Sequence, residues 1–349
     1  MVSFDKIDIL SLSLAELEEE IIKMGEPRFR AKQIFEWMNK GAWDDEMKNI
    51  PKSLKEKLNE KFIFTLPVVE KKLVSKLDGT IKYLFKLFDG ELIESVFMRY
   101  EHGNTLCISS QVGCPMGCKF CASTLLGKTR DLYPSEMLGQ IISAEKDTGE
   151  RISNVVMMGI GEPLDNYDNT IKFLRLVSSE NGLNIGLRHI SVSTCGLVDK
   201  IDKLAKEGLP ITLSISLHAY DNEVRSEIMP VNKKYPIEKL LDACQRYFEK
   251  TSRRISFEYT LIAGKNDTEK GAIKLASVIK KHIKSPCHVN LIPLNEVKET
   301  KLSTSKNVAG FKNKLLSLGI NATVRRRLGS DINASCGQLR KGAKEEVNK

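Results

Sequence analysis

Three closely spaced cysteines are the residues of this sequence best suited to chemistry. Cys114, Cys118 and Cys121 stand in Gln111-Val112-Gly113-Cys114-Pro115-Met116-Gly117-Cys118-Lys119-Phe120-Cys121, a C-x3-C-x2-C spacing. Three thiolates around a turn of Gly and Pro can enclose one compact metal site. A [4Fe–4S] cluster normally takes four Cys ligands, and the next cysteine downstream is Cys195. A cube held by three thiolates keeps one iron open to a small molecule. A structural zinc site prefers four ligands in two close pairs; here the second pair is missing, and His102 and Cys107 upstream are the nearest candidates. A disulfide framework belongs to small secreted chains and does not suit this one.

Other residues invite chemistry less strongly on their own. Gly159-Ile160-Gly161-Glu162-Pro163 follows an apolar run; its glycines let backbone approach a ligand, and Glu162 can accept hydrogen bonds from an ammonium group. Glycines after strands are also ordinary turn residues. Cys336 lies in Asp331-Ile332-Asn333-Ala334-Ser335-Cys336-Gly337-Gln338, after Arg325-Arg326-Arg327. Nearby arginines favour a thiolate and attract phosphate. Taken alone, Cys336 is equally a chance thiol in a polar tail. Cys195, Cys244 and Cys287 fall in or beside core elements and read as structural.

The elements that position these residues change character along the chain. Residues 1 to about 95 read as a small accessory unit, with helices over Leu14–Met24, Arg30–Lys40 and Lys52–Lys61. Val68–Phe97 then alternates like a short antiparallel sheet with a turn at Asp78-Gly79. Arg28, Arg30, Lys32 and Lys40 form either an RNA-contacting platform or a solvated helical face. From about Asn104, six strands are expected: Thr105–Ser110, Ser153–Met158, His189–Ser193, Ile211–Leu217, Ile255–Leu261 and His288–Leu294. They alternate with helices near Ser135–Asp147, Asn169–Ser178, Val198–Glu207, Ile237–Lys250 and Glu269–Lys284. Such alternation predicts a parallel sheet, here an incomplete (β/α)6 barrel over residues 96–300. Residues 301–349 extend it with a helix near Lys306–Leu318, a strand at Ala322–Arg326 and a polar tail ending in the charged run Lys341–Lys349. Parallel barrels carry reactive groups at the C-terminal strand ends, where these motifs fall.

The chain has 349 residues, 41% of them hydrophobic, with a net charge of +9. That supports a packed core and favours a polyanionic partner, although a basic solvated surface has the same composition. Met1 to Lys6 lacks the apolar core of a signal peptide, and runs such as Val155–Met158 are too short to span a bilayer. Eight cysteines without a secretion signal point to a reducing cytoplasm and to metal or catalytic duty.

With these motifs in view, the sequence resembles the radical S-adenosylmethionine (SAM) superfamily, whose aromatic residue before the last cluster Cys is matched by Phe120. Ser109-Ser110-Gln111-Val112-Gly113-Cys114, Gly159-Ile160-Gly161-Glu162-Pro163, Ser216-Leu217-His218 and Cys336-Gly337-Gln338-Leu339 resemble, in order, the dual-specificity methyltransferases of adenine C2. The resemblance implies the radical SAM partial barrel, one [4Fe–4S] cluster on Cys114, Cys118 and Cys121, and SAM held by Gly161, Glu162, Ser193, Ser216, Leu217, His218 and Asn295. It implies as substrates adenine 2503 of 23S rRNA, at the peptidyl-transferase centre, and adenine 37 of tRNA. It also makes Cys336 the methyl-carrying thiol, Cys107 the thiol that closes a transient disulfide with it, and Glu94 the base for the C2 proton. Two SAM molecules are used per turnover, and reduced ferredoxin or flavodoxin supplies electrons. A cytoplasmic monomer without membrane attachment is expected. Three rivals share features of the sequence: the sister enzymes of adenine C8, an activase that plants a glycyl radical, and a non-catalytic iron–sulfur RNA sensor. Cys107 and Cys336 argue against the activase, which needs no methyl carrier.

Overall fold

In a computed structural model of the chain, residues 6–295, 297 and 299–339 are described. The first five residues and the charged run Lys341–Lys349 lie outside them. One ten-stranded sheet organises the fold, and its spatial order follows the chain order throughout. Strands β1 (Val68–Val74), β2 (Ile81–Lys86), β3 (Leu92–Met98) and β4 (Asn104–Cys107) form an antiparallel meander. From β4 onward the pairing is parallel, through β5 (Ile152–Met157), β6 (Ile190–Thr194), β7 (Thr212–Ser216), β8 (Ile255–Leu261), β9 (Cys287–Pro293) and β10 (Ala322–Val324). All six expected barrel strands are present, and the short strand after residue 320 adds a seventh at the edge.

The helices form for local reasons and cover the outer face. Helix α1 (Leu14–Lys23) opens on a capping box in which Ser13 and Glu16 each accept the other's amide. Helices α2 (Phe29–Met38) and α3 (Lys52–Lys61) complete the N-terminal layer. Helix α4 (Pro134–Thr148) starts on a proline and stops at left-handed Gly149. Helices α5 (Tyr167–Val177), α6 (Val198–Glu207), α7 (Asn222–Ile228), α8 (Ile237–Thr251), α9 (Glu269–His282) and α10 (Val308–Ser317) follow. Helix α7 was not expected: its seven residues are too few to show a period.

The N-terminal layer of helices joins the sheet through the meander. Residue 95 falls inside β3, whose Val96 and Phe97 pair with Cys107 and Leu106 of β4. The N-terminal helices also share the main core, since Leu17, Ile21, Ile34, Phe35 and Leu58 pack into the same cluster as Ile141 and Phe173. Arg28 and Lys32 pair with Glu18 and Glu36 on their own helical layer.

The sheet leaves a seam between β10 and the meander, and the C-terminal segment crosses it. Arg325 N donates to Leu291 O, extending the β9 edge. Gly329 N then donates to Asp78 of the β1–β2 turn, Asp331 accepts from Ser75 Oγ and Lys76 N, and Lys82 Nζ donates to Asn333 O. Ala334 and Leu339 pack against Val96, Cys107 and Ile160. Asp331→Ala removes two of these ties at an exposed point. It should leave the melting temperature within a few degrees of wild type, since such bonds contribute about 1 kcal/mol each. It should also speed hydrogen exchange and proteolysis of the segment, and unchanged protection would disconnect Asp331 from seam closure.

Candidate cofactor and methyl-transfer site

Between β4 and β5, the loop carrying Cys114, Cys118 and Cys121 is fixed from several sides. Gly113 has φ +79, and a side chain there would sit 1.8 Å from Gly127 O. Cys121 N donates to Cys118 O, and Thr124 Oγ1 donates to the carbonyls of Cys118 and Cys121. Lys119 N reaches Ile228 O at the end of α7, while Ala122 N reaches Gly337 O in the C-terminal segment. The three thiols line one cavity of about 140 Å³ at the C-terminal ends of the strands. Burial pushes the Cys114 thiol up to about 12 and holds Cys118 and Cys121 above the usual thiol range. Binding iron therefore means displacing protons from all three. No group of three His, Cys, Asp or Glu side chains among the described residues could hold a single metal ion. Cys114, Cys118 and Cys121 line a shared cavity and are the residues that would hold an iron–sulfur cluster.

The same cavity gathers most of the expected SAM contacts: Gly161, Glu162, Ser193, Ser216, His218 and Asn295. Gly161 has φ +108, and a side chain there would meet Ser110 Oγ and Gln111 Cβ at 2.7 Å, so only glycine keeps the cradle open. Glu162 is fully buried and its carboxyl is shifted up by desolvation, against bonds accepted from Cys195 and Thr194. Cys195 N donates to it at 2.7 Å and Leu164 N at 3.0 Å. Asn295 donates Nδ2 to Cys336 O at 3.0 Å, and its buried Oδ1 has no partner among the described residues. That orphaned acceptor, the glycine cradle and the soft thiol set fit a cluster with a polar ligand on its open corner.

His218 adopts φ +53 and is buried. Thr260 N donates to its Nδ1 at 2.9 Å, so the ring proton resides on Nε2, and Phe120 meets the ring edge-on at 4.8 Å. Burial pushes the imidazole down to about 3. Leu217 differs from the other expected contacts. Its side chain is fully buried in the main core, its amide donates to Glu258 O and its carbonyl accepts from Arg225. It supports the site from beneath.

Cys336 faces two cavities. It lines the one just described and a second of about 310 Å³, which Cys107 also lines and which runs inside the sheet towards Asn154, Arg188 and His189. Arg325 Nη1 donates to Cys336 Sγ at 3.3 Å and Nη2 to Met158 Sδ at 3.1 Å, with Glu258 3.7 Å from the guanidinium. Cys336 and Glu258 hold Arg325 above its already high range. Burial, with Cys336 nearby, pushes the Cys107 thiol up to about 12. Glu94 lines neither cavity. It is buried on the β3 face shared with Val96 and Met98, in an ion pair with Lys82 at 2.8 Å.

Sequence reasoning missed three contributors. Arg325 was visible only as part of a basic run. Cys195, read as structural, lines the cofactor cavity. Arg225, fully buried, left no signal in the sequence.

Comparisons with known proteins agree with this geometry. Residues 108–276 match the family model of the radical SAM superfamily, and residues 7–64 match that of the ribosomal RNA large subunit methyltransferase N-terminal domain. The chain is 53% identical over 341 residues to a probable dual-specificity RNA methyltransferase RlmN of Clostridium tetani, covering 97% of each. It is 55% identical to one of Alkaliphilus oremlandii, covering 97% of this chain and 98% of that one. The crystal structure of a radical SAM methyltransferase from Sphaerobacter thermophilus superposes with a TM-score of 0.90 at 42% identity, covering 95% of this chain and 99% of that one.

The depressed imidazole gives a test of the site's geometry. A folded-state value below the unfolded one of about 6.5 adds stability that is full above pH 6.5 and lost as pH falls towards 3. Between pH 7 and 5, denaturant titrations should show wild type losing stability faster than His218→Gln, by up to about 1.4 kcal/mol per pH unit. Parallel curves would mean that the ring is not held neutral.

Proposed function

The chain belongs to the radical SAM superfamily and, within it, to the RlmN dual-specificity RNA methyltransferases, and on that premise we propose that it methylates C2 of adenine 2503 in 23S rRNA and of adenine 37 in tRNA. The observation that carries this reading is the position of Cys336, on the wall shared by the cofactor cavity and the cavity containing Cys107. A thiol there can take a methyl group on one side and deliver it on the other. Adenine C2 is an electron-poor carbon, so polar transfer from SAM does not reach it. When bound at Cys114, Cys118 and Cys121, the cluster supplies the electron that cleaves SAM.

The chain's own residues divide the remaining work. Cys336 attacks the methyl carbon of a first SAM, forming its S–CH3 bond as S-adenosylhomocysteine leaves. Arg325 holds the sulfur in place by a hydrogen bond from Nη1. Gly161, Glu162 and Asn295 hold the second SAM, whose radical removes hydrogen from the S-methyl group. The methylene radical adds to C2, joining RNA and protein. The adduct gives one electron back to the cofactor site as Glu94 takes the C2 proton, with Lys82 as its counter-ion. The Cys107 thiolate then attacks the Cys336 sulfur; the carbon leaves with the bonding pair and takes up a proton to become the methyl group, and a disulfide remains. Reduced ferredoxin or flavodoxin provides the electrons, and the protein works as a cytoplasmic monomer. No helix among the described residues is long and apolar enough to cross a membrane.

Cys336→Ala should keep its iron and lose all methylation; surviving activity refutes the carrier role. Cys107→Ala should accumulate a covalent protein–RNA adduct, visible as a shifted band. Free RNA together with unmodified Cys336 in that variant would contradict the scheme. Adenine deuterated at C2 should lose its label on methylation and adenine deuterated at C8 should keep it, the reverse marking a C8 enzyme.

A further inference from the structure

Arg225 on α7 is fully buried, and no carboxylate pairs with it among the described residues. Its donors go to backbone carbonyls and one amide: Nη2 to Cys195 O at 2.7 Å and Ser216 O at 3.1 Å, Nε to Leu217 O at 3.1 Å, and Nη1 to Asn232 Oδ1 and Tyr235 O. Two of these carbonyls, those of Cys195 and Leu217, lie in the turns after β6 and β7 that carry the cofactor contacts, and a third, that of Ser216, ends β7. The Cys195 peptide reaches both ways, since its carbonyl accepts from Arg225 and its N–H donates to Glu162. The end of the same helix braces the cluster loop, where Ile228 O accepts from Lys119 N and Ile228 and Met229 pack on Cys118.

A buried cation needs a counter-charge or it costs several kcal/mol. Burial lowers this guanidinium only to about 10, so it stays charged near neutrality. Cys114, Cys118 and Cys121, once deprotonated on iron, provide that counter-charge, and each added electron makes the site more negative. We propose that Arg225 is a positioning residue for the cofactor site: it locks the turns after β6 and β7 and, as a buried cation beside the cluster loop, favours one-electron reduction of the cluster by the external carrier. Charge close to an iron–sulfur centre sets its potential, and groups behind the ligands orient them. The inference rests on the cluster and SAM reading above.

The test compares iron-loaded, full-length wild type with Arg225→Gln and Arg225→Lys, measuring iron content, midpoint potential by EPR-monitored titration and SAM dissociation constant. Both variants should bind SAM about tenfold more weakly, as expected for lost charge-assisted bonds. Arg225→Gln should also shift the potential to more negative values, whereas Arg225→Lys, which keeps the charge, should stay near wild type. An iron-replete Arg225→Gln with unchanged potential and affinity overturns the proposal. Where the Gln variant fails to load iron, the Lys variant decides by its SAM affinity, and a wild-type value there is equally fatal. A wild type that binds no iron refutes the cluster reading itself, a result distinct from an iron-loaded protein indifferent to Arg225.

Discussion

The hydrogen bond from Arg325 to Cys336, at 3.3 Å, is the contact on which the rest of this architecture converges. It fixes a thiol from a loop after the last strand at a point reached from two cavities. The loop has few contacts of its own to hold it, and what it has is spread along the seam. Asn295 grips the Cys336 carbonyl, Ala122 N grips that of Gly337, and Lys82 grips that of Asn333. Each is a single bond of modest net worth, about 1 kcal/mol. A segment held by several such ties is positioned at many points at once, so that losing any one leaves the others to keep Cys336 between the two cavities.

The turns on the cofactor side are braced differently, by buried side-chain amides that bond several backbone groups at once. Gln140 accepts from Ser95 Oγ and Ser109 N and donates to Ser109 O. Asn166 donates to the carbonyls of Ser110 and Leu132, and Gln111 accepts from Glu162 N while donating to Asp131 and Asp165. These amides supply the hydrogen bonds that irregular backbone loses when it leaves a sheet. They hold rigid the turns where glycine makes room for a ligand.

Much of this was legible in the sequence because it rests on local pattern. Among the described residues, period and composition gave nine of the ten α-helices and the parallel strands within a few residues, and the Cys spacing singled out a loop whose three thiols line one cavity. The resemblance added Cys107 and the cofactor turns, which the residues alone leave ambiguous. What was not legible depends on distance in sequence. Cys107 and Cys336 meet only because the sheet curls and the last segment bridges its edges. The change of pattern near residue 95 marks where antiparallel pairing gives way to parallel pairing, a change that does not interrupt the sheet's hydrogen bonding. Arg225 was invisible because an arginine on a short polar helix reads as solvated until burial is known.

The distribution of buried charge ties both halves together. Arg225 stands behind the cofactor turns and Arg325 beside the carrier thiol, so two guanidiniums bracket one cavity from different walls. Glu162 and Glu258 lie close by: Glu162 accepts from the Cys195 N–H, whose residue's carbonyl accepts from Arg225, and Glu258 lies 3.7 Å from Arg325. In a low dielectric such charges act strongly over short distances, so their placement around the cavity matters more than their number. Neutral His218 fits the same logic, because another cation beside Arg225 would be costly and the imidazole is held uncharged. The two cavities thus meet at Cys336, with one guanidinium hydrogen-bonded to its sulfur and another behind the turns that follow β6 and β7.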